Sequence, residues 1–348
     1  MSRHFPALRG LAIFLVVINH SITLGMQFAR VEGVILPQWQ KYILVAIKEF
    51  GIFAVPLFLF LAASYFAYAA QGKDFQGMVR LVPNTIKFIL IPYILWSVLF
   101  YVVAFYLFGE KTDLVGYAKN LIIGYPNNFV PLLLFFTILA PLLVWLSRKS
   151  QTLIFLLFLA YQAFLVIILR PDLFGKVFPD WTNTLALPVI RLPLALWGIF
   201  YPLGIIYGLN SEKSRKLLNP LSLISLFITL CLFVISVSTQ LGFTNFPIVE
   251  IIAPFFGVLW LTTLKREQIP FIHWFERLGK RSYGLYLINL ILINLLLTAI
   301  IAIGSKNILI YQPVIVFLVA AITLLLPLYW MEAIEKRSGR SFYKMIFG

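Results

Sequence analysis

Charged residues and cysteines are scarce in this 348-residue sequence. Only 12% of the residues are charged and 61% are hydrophobic, whereas soluble domains are about half apolar and about a quarter charged. The composition therefore excludes an ordinary soluble domain and indicates a membrane protein. The single cysteine, Cys231, excludes a disulfide bond within the chain.

The sequence also lacks a low-complexity stretch, a fused soluble domain and a convincing repeat between its halves. The net charge of +15 comes from Lys and Arg residues scattered through short loops, so we expect no nucleic-acid partner. The missing repeat disfavours transporter folds built from duplicated units. We interpret residues 1–348 as one integral-membrane domain, and we assign it no metal site.

Long apolar runs are what the chain does contain. A membrane-spanning helix needs about 20 mostly apolar residues. Ten segments meet that rule: 8–27, 50–70, 85–108, 129–147, 152–169, 185–208, 220–239, 246–264, 283–303 and 309–332. No small-residue cleavage site follows the basic N-terminus, so the first segment is expected to remain as a span. The predicted fold class is all-α, a polytopic membrane protein with about ten transmembrane helices.

The basic residues are divided unequally between the two sides of these segments. Nineteen lie on the side of the two termini and eight lie on the other side. Loops rich in Lys and Arg stay in the cytoplasm, so both termini are predicted to be cytoplasmic. We expect a multi-pass protein of the cell (plasma or inner) membrane, with membrane lipids as its neighbours.

The stretch LRGLAIFLVVINHS, residues 8–21, places Arg9 and His20 eleven positions apart in an apolar run. Eleven helical residues turn through about 1,100°, close to three full turns, and rise about 16 Å. The two side chains therefore share one helix face, with Ile13 and Val16 between them. Arg9 alone is also explained as a headgroup anchor, and His20 as a hydrogen-bonding partner of a neighbouring helix. Ionisable groups at membrane depth, however, usually face a cavity.

The same stretch resembles the first helix of the acyltransferase-3 family of integral-membrane O-acyltransferases. Four further stretches resemble later parts of that family in the same order along the chain. They are VPLFLFLAASYF (55–66), IKFILIPYILWS (86–97), RLPLALWGIFYPLG (191–204) and LGKRSYGLYLIN (278–289). The length and the ten spans that begin and end in the cytoplasm also match the family.

The resemblance implies an enzyme that moves an acyl group, usually acetyl, from cytoplasmic acyl-CoA to a sugar hydroxyl. The acceptor would be a cell-surface or lipid-linked glycan, and acetyl-CoA would be the co-substrate. The family's Arg and His correspond to Arg9 and His20. Arg9 would hold a CoA phosphate at the inner rim. His20, with an ordinary pKa near 6.5, would act as general base on the acceptor hydroxyl.

The chain departs from the family pattern at several positions. Ala62 and Ala63 stand where the family usually has Ser-Gly, and the His-Trp pair before the fourth span is absent. Asn289 replaces the histidine that usually ends the late signature. An amide can hydrogen-bond a substrate but cannot act as a base near neutral pH. We therefore assign Asn289 and nearby Tyr286 to substrate binding, with packing as the alternative for the tyrosine.

Four further charged residues are candidates for ligand contacts. Arg80 and Lys87 flank the start of the third span, where they either anchor the helix at headgroups or join Arg9 in binding CoA phosphates. Arg191 lies inside the sixth span. It either extends its side chain to the membrane surface or contacts the acceptor. Glu250, interpreted as the only acid well within a span, either neutralises Arg191 or helps to orient the acceptor.

Other interpretations remain open. The basic amphipathic segment 265–282 is either an interfacial helix on anionic lipid or a lip over the CoA entrance. A ten-span transporter or lipid-glycan flippase would use Arg191, Glu250 and His20 as a substrate or proton path. A structural membrane protein without chemistry is a third class. The sequence specifies neither the acceptor glycan, nor acetyl against a larger acyl group, nor the oligomeric state.

Overall fold

A computed structural model describes residues 4–175, 178–185, 187–303 and 306–348 of the chain. Within these ranges the regular elements are helices and no β-strand is present. Eight helices are long and apolar enough to cross a membrane, and a pair of helices bent by 50° would make nine. The predicted all-α polytopic class is confirmed.

The helices follow the chain with short connections. Their bounds are α1 Phe5–Val31, α2 Gln38–Glu49, α3 Ala54–Ala69, α4 Phe75–Val79, α5 Val82–Phe108, α6 Leu114–Ile123, α7 Phe129–Lys149, α8 Gln151–Leu169, α9 Pro171–Phe174, α10 Arg191–Trp197, α11 Phe200–Leu209, α12 Ser211–Leu218, α13 Ser222–Gln240, α14 Val249–Thr263, α15 Ile272–Lys280, α16 Ser282–Ala302 and α17 Gln312–Phe347. The start of α4 shows how a side chain can determine where a helix begins. The Asp74 side chain accepts a hydrogen bond from the Gly77 N–H (2.8 Å) and caps α4.

Each of the ten predicted segments coincides with helical structure. The segment 185–208 becomes the bent pair α10 and α11, and its residue 186 lies outside the described residues. The segment 246–264 becomes α14, whose 15 residues span only about 22 Å of a hydrocarbon core about 30 Å thick. The second candidate span begins at Gln38, earlier than the predicted 50. The count of ten spans and the cytoplasmic termini stay predictions.

Helix α1 lies at the centre of the bundle and packs against α3, α15, α16 and α17. Its contact with α15 is close because both helices have glycine there. A Cβ atom on Gly10 would collide with the carbonyl of Phe275, and one on Gly279 would collide with the carbonyl of Pro6. This close approach places the end of α15 beside the first turns of α1.

Helices α3 and α11 form a second tight contact. Gly204 and Gly208 face the backbone of α3, in the small-residue spacing that allows membrane helices to approach closely. The Ser64 hydroxyl lies in this contact and donates to the carbonyl of Phe60 (2.8 Å) or of Gly204 (2.9 Å). Ser64 therefore serves helix packing, while its neighbour Ala62 faces a cavity.

The last two turns of α17 fold back onto the bundle. The turn is made at Gly339, whose φ of 79° and ψ of 163° are favourable only for glycine. Phe347 is fully buried, with its ring stacked on Trp96 at 5.9 Å between centroids. Trp96 Nε1 donates to the carbonyl of Ile346 (2.8 Å). The fold-back brings Lys344 to the same end of the molecule as the start of α1.

Ion pairs join α15 to α17. Arg277 Nη2 lies 2.9 Å from Glu332 Oε2, and Arg281 Nη2 lies 2.7 Å from Glu335 Oε2. Part of the basic face of the segment 265–282 is thus neutralised by the protein itself. Its binding to anionic lipid stays a prediction. The structure adds that the end of this segment reaches the cavity described below.

Candidate active site

A cavity of about 560 Å³ lies among α1, α3, α5, α7 and α16. Its volume is within the range of small-molecule and cofactor sites, about 300–1,000 Å³. Most of its wall is apolar or aromatic, including Phe58, Phe88, Phe129, Leu133 and Tyr201. A long, largely apolar ligand would be well accommodated along this wall.

Three cations line the cavity: Arg9, Lys280 and Lys344. Arg9 is half-buried, with its Cζ atom 5.8 Å from the ring centroid of Tyr65. Within the described ranges it has no ion-pair partner, and the lining contains no acidic side chain. Lys344 Nζ lies 5.3 Å from the ring centroid of Phe88. A half-buried guanidinium without a carboxylate favours an anionic ligand.

A buried hydroxyl in the same wall also lacks a partner. Ser282, the first residue of α16, is fully buried and lines the cavity. Its Oγ atom makes no hydrogen bond within the described part of the chain. Buried polar atoms are nearly always hydrogen-bonded, so this hydroxyl is suited to a polar group of a bound ligand.

His20 lies deeper in the bundle and does not line this cavity. Its Nδ1 atom is 2.6 Å from Oδ1 of Asn289 in α16. Along the face of α1 between Arg9 and His20, Ile13 is fully buried and Val16 is 5% exposed. The two candidate residues share a continuous helix, as the sequence predicts, but packed side chains separate them.

Helix α16 connects the cavity to His20. The cavity lining includes Tyr283 and Tyr286 and stops one turn before Asn289. The Asn289 Nδ2 atom donates to the carbonyl of Tyr286, and its Oδ1 atom contacts His20. The Tyr286 ring packs edge-to-face on Phe129, with 5.7 Å between centroids. Both rings line the cavity, and one turn further along α16 the Asn289 side chain contacts the imidazole.

Comparison with known families identifies the family of the chain. A family model described as an acyltransferase domain matches residues 5–331. The chain belongs to the acyltransferase-3 family. Searches of curated proteins and of solved structures each returned no match. Because the matched region contains nearly all of the apolar helices, the protein is a multi-pass membrane acyltransferase.

Of the cations assigned to donor binding from the sequence, only Arg9 lines the described cavity of this acyltransferase. Arg80 and Lys87 are both exposed, and neither lines the cavity. Their role in donor binding stays a prediction. Lys280 and Lys344 lie beside Arg9 instead. The sequence offered a reason to select Lys280, because this residue lies in the late family signature (278–289) and in the basic segment 265–282. The residues around Lys344 offer no such reason.

Arg191 and Glu250 lie away from the cavity of the acyltransferase. Arg191 is exposed at the start of α10, and Glu250 accepts a hydrogen bond from Gln240 Nε2. No ion pair joins the two residues in the described structure, so the proposed mutual neutralisation is not formed there. Their contact with the acceptor stays a prediction.

A buried carboxyl group was missed by the sequence interpretation. Glu49 is 2% exposed, lies inside the candidate span Gln38–Ala69, and accepts a hydrogen bond from Ser236 Oγ (2.7 Å). Glu250 is therefore not the only acid within a span. The predicted second segment begins at 50, one residue after this acid, and therefore did not include it.

Proposed function

We propose that this acyltransferase moves an acyl group, acetyl in the simplest case, from acyl-CoA to a hydroxyl of a cell-surface or lipid-linked glycan. The observation that supports the proposal is the cavity with three cations at its wall, no acidic side chain in its described lining, and an aromatic interior. Acyl-CoA combines a phosphate-bearing nucleotide with a long, uncharged pantetheine arm. The cavity complements both parts.

The donor would bind with its phosphates beside Arg9, Lys280 and Lys344. Arginine and lysine both bind phosphate strongly, arginine through two parallel hydrogen bonds. The pantetheine arm would lie along the aromatic wall, with the Ser282 hydroxyl available to one of its amide groups. In the predicted orientation this end of the bundle faces the cytoplasm, where acyl-CoA is found.

The acyl end would then approach His20. Since His20 does not line the cavity, we expect wall residues such as Phe129 and Tyr286 to move aside for the thioester to advance. His20 would accept the proton of the acceptor hydroxyl while the oxygen of that hydroxyl attacks the thioester carbonyl carbon. The carbon–sulfur bond breaks, and the CoA thiolate leaves and receives that proton from His20. The products are an O-acyl glycan and free CoA.

A binding experiment tests the donor site. The protein is purified in detergent, and its thermal unfolding is followed with and without CoA. A ligand that binds only the folded state stabilises it by about 2.7 kcal/mol at 100 times its Kd. CoA should therefore raise the Tm. Arg9→Gln, Lys280→Gln and Lys344→Gln should each weaken CoA binding about 10- to 100-fold, because a hydrogen bond to a charged group contributes about 1.5–3 kcal/mol.

Lys336→Gln is the matched control, because Lys336 is exposed on α17 and lies outside the cavity lining. It should bind CoA like the unmodified protein. An equal loss in this control, or a folded protein that CoA does not stabilise, would contradict the donor site. A folded protein that CoA does not stabilise would favour the transporter interpretation.

An activity experiment tests the base. His20→Gln and His20→Ala should reduce transfer from labelled acetyl-CoA by about 10²–10⁴-fold, the usual contribution of a general base. CoA binding should be unchanged, since His20 lies outside the donor cavity. Mass spectrometry of surface glycans from cells with and without the gene would identify the acceptor. Near-full activity in both variants would rule out His20 as the base.

A further inference from the structure

The Asn289 side chain is oriented by the backbone of its own helix. It is 1% exposed, and its Nδ2 atom lies within hydrogen-bonding reach of the carbonyl oxygens of Leu285 (3.4 Å) and Tyr286. Carbonyl oxygens only accept hydrogen bonds, so the NH₂ group of the amide must face them. The Oδ1 atom therefore faces His20.

That orientation determines which nitrogen of His20 carries the proton. An amide oxygen can only accept, so the 2.6 Å contact between Asn289 Oδ1 and His20 Nδ1 requires a hydrogen on Nδ1. In a neutral imidazole the other nitrogen, Nε2, is then unprotonated and has a free lone pair. The Nε2 atom is thus the only nitrogen of this ring that can receive a proton.

We propose that Asn289 is a positioning residue that holds His20 in the Nδ1-protonated tautomer, with Nε2 ready to take the acceptor proton. The catalytic part of this inference rests on the proposed function, whereas the tautomer follows from the contacts alone. An amide orients the ring without adding a charge, as the asparagine does in Cys-His-Asn proteases.

This role replaces the substrate contact assigned to Asn289 from the sequence. Both amide hydrogens are directed to backbone carbonyls, the oxygen is occupied by His20, and the side chain is almost completely enclosed. No hydrogen-bonding group of the amide is left exposed for a sugar.

Nitrogen-15 NMR of histidine tests the tautomer without reference to activity. The chain has only three histidines, so a difference spectrum between the ¹⁵N-histidine-labelled protein and its His20→Gln variant identifies the His20 signals. Near neutral pH they should show a protonated Nδ1 and an unprotonated Nε2. In Asn289→Leu, which cannot accept a hydrogen bond, the Nδ1-protonated form should lose its dominance. Asn289→Asp, which still can accept one, should retain it.

The matched control is Asn294→Leu. Asn294 is a nearly buried asparagine of the same helix, whose Nδ2 atom donates to the carbonyl of Leu290 (2.8 Å), and the described structure shows no hydrogen bond between it and His20. Asn294→Leu should change neither the His20 signals nor the transfer rate. Asn289→Leu should lower kcat at least tenfold, up to the 10²–10⁴-fold that a general base supplies, with an unchanged KM for the donor.

Each outcome bears on one hypothesis. A protonated Nε2 in the unmodified protein, or identical His20 signals in Asn289→Leu, would overturn the tautomer assignment. Equal losses of kcat in Asn289→Leu and Asn294→Leu would overturn the positioning role. If the tautomer responds as expected but His20→Gln retains activity, the proposed function fails while the tautomer assignment stands.

Discussion

Two histidines, one within α1 and one just before it, have very different surroundings. His20 has an amide partner in α16. His4, just before α1, is 2% exposed, and its Nε2 atom makes no hydrogen bond within the described ranges. Burial, reinforced by the positive charge of Arg215, lowers the pKa of His4 from 6.5 to about 4, against a smaller opposing effect of Glu267. His4 therefore stays neutral in the folded protein.

The pKa of His4 predicts an acid-sensitive fold. The unfolded chain binds a proton at His4 below pH 6.5, whereas the folded protein does so only near pH 4. The stability associated with the neutral ring is fully present above pH 6.5. It is lost as the pH falls towards 4, by at most about 3 kcal/mol at 1.36 kcal/mol per pKa unit.

Thermal unfolding at pH 7.5 and pH 5 measures this loss. His4→Gln should show a smaller drop in Tm between the two pH values than the unmodified protein. His273→Gln is the control for the removal of a histidine, because His273 is exposed. Identical drops in the unmodified protein and in His4→Gln would show that another group causes the acid sensitivity.

At the scale of elements, the cations and the free hydroxyl of the cavity come from helix ends rather than from helix centres. Lys280 is the last residue of α15, Ser282 is the first residue of α16, and Lys344 lies in the folded-back end of α17. Two of these helix ends are positioned by contacts outside the cavity. The glycine contact with α1 positions α15, and the turn at Gly339 with the buried Phe347 positions the end of α17.

The turn at Gly339 gives a prediction for CoA binding. Gly339→Ala forces a residue with a Cβ atom into φ 79°, a strained conformation. The end of α17 should then lose its docked position, and Lys344 should leave the cavity. CoA binding should weaken by about as much as in Lys344→Gln, roughly tenfold or more.

The double variant Gly339→Ala/Lys344→Gln separates this effect from general damage. Because both changes remove the same contact, the double variant should bind CoA about as well as Lys344→Gln alone. Additive losses would mean that the turn acts on the site by another route. Isothermal titration with CoA in detergent provides the affinities.

At the scale of the whole molecule, the orientation of the protein in the membrane determines which substrate can reach each end of the helix bundle. The three cavity cations lie near the termini, and the greater number of basic loop residues is predicted on that same side. The tendency of Lys and Arg loops to remain inside predicts a cytoplasmic location for this side. The donor would then enter from the cytoplasm and the acceptor from the opposite face.

Cysteine labelling tests this orientation. Cys231 is the only cysteine, so Cys231→Ser provides a background without thiols. In that background Ile35→Cys lies in the exposed connection between α1 and α2, and Glu212→Cys lies at the exposed start of α12. A membrane-impermeant maleimide added to intact cells should label Ile35→Cys but not Glu212→Cys. The reverse pattern would invert the orientation and refute a cytoplasmic donor site.

The amino-acid sequence was sufficient for the elements that arise from local patterns. Apolar runs long enough to cross a bilayer form helices because no water is available there to satisfy the backbone, and within the described residues each predicted segment contains a helix. The common face of Arg9 and His20 follows from helical periodicity alone, since α1 is unbroken from Phe5 to Val31.

Contacts between distant segments were decided only by the tertiary structure. His20 and Asn289 are 269 positions apart in the sequence. Lys344 lines the same cavity as Arg9 because of a backbone turn at Gly339, and a glycine in the sequence does not by itself predict such a turn. Likewise, Ile13 and Val16 fill the space between Arg9 and His20, which helical periodicity cannot reveal. Periodicity gives the face on which a side chain lies, but the packing of helices determines whether that face meets a cavity, a partner or a neighbouring side chain.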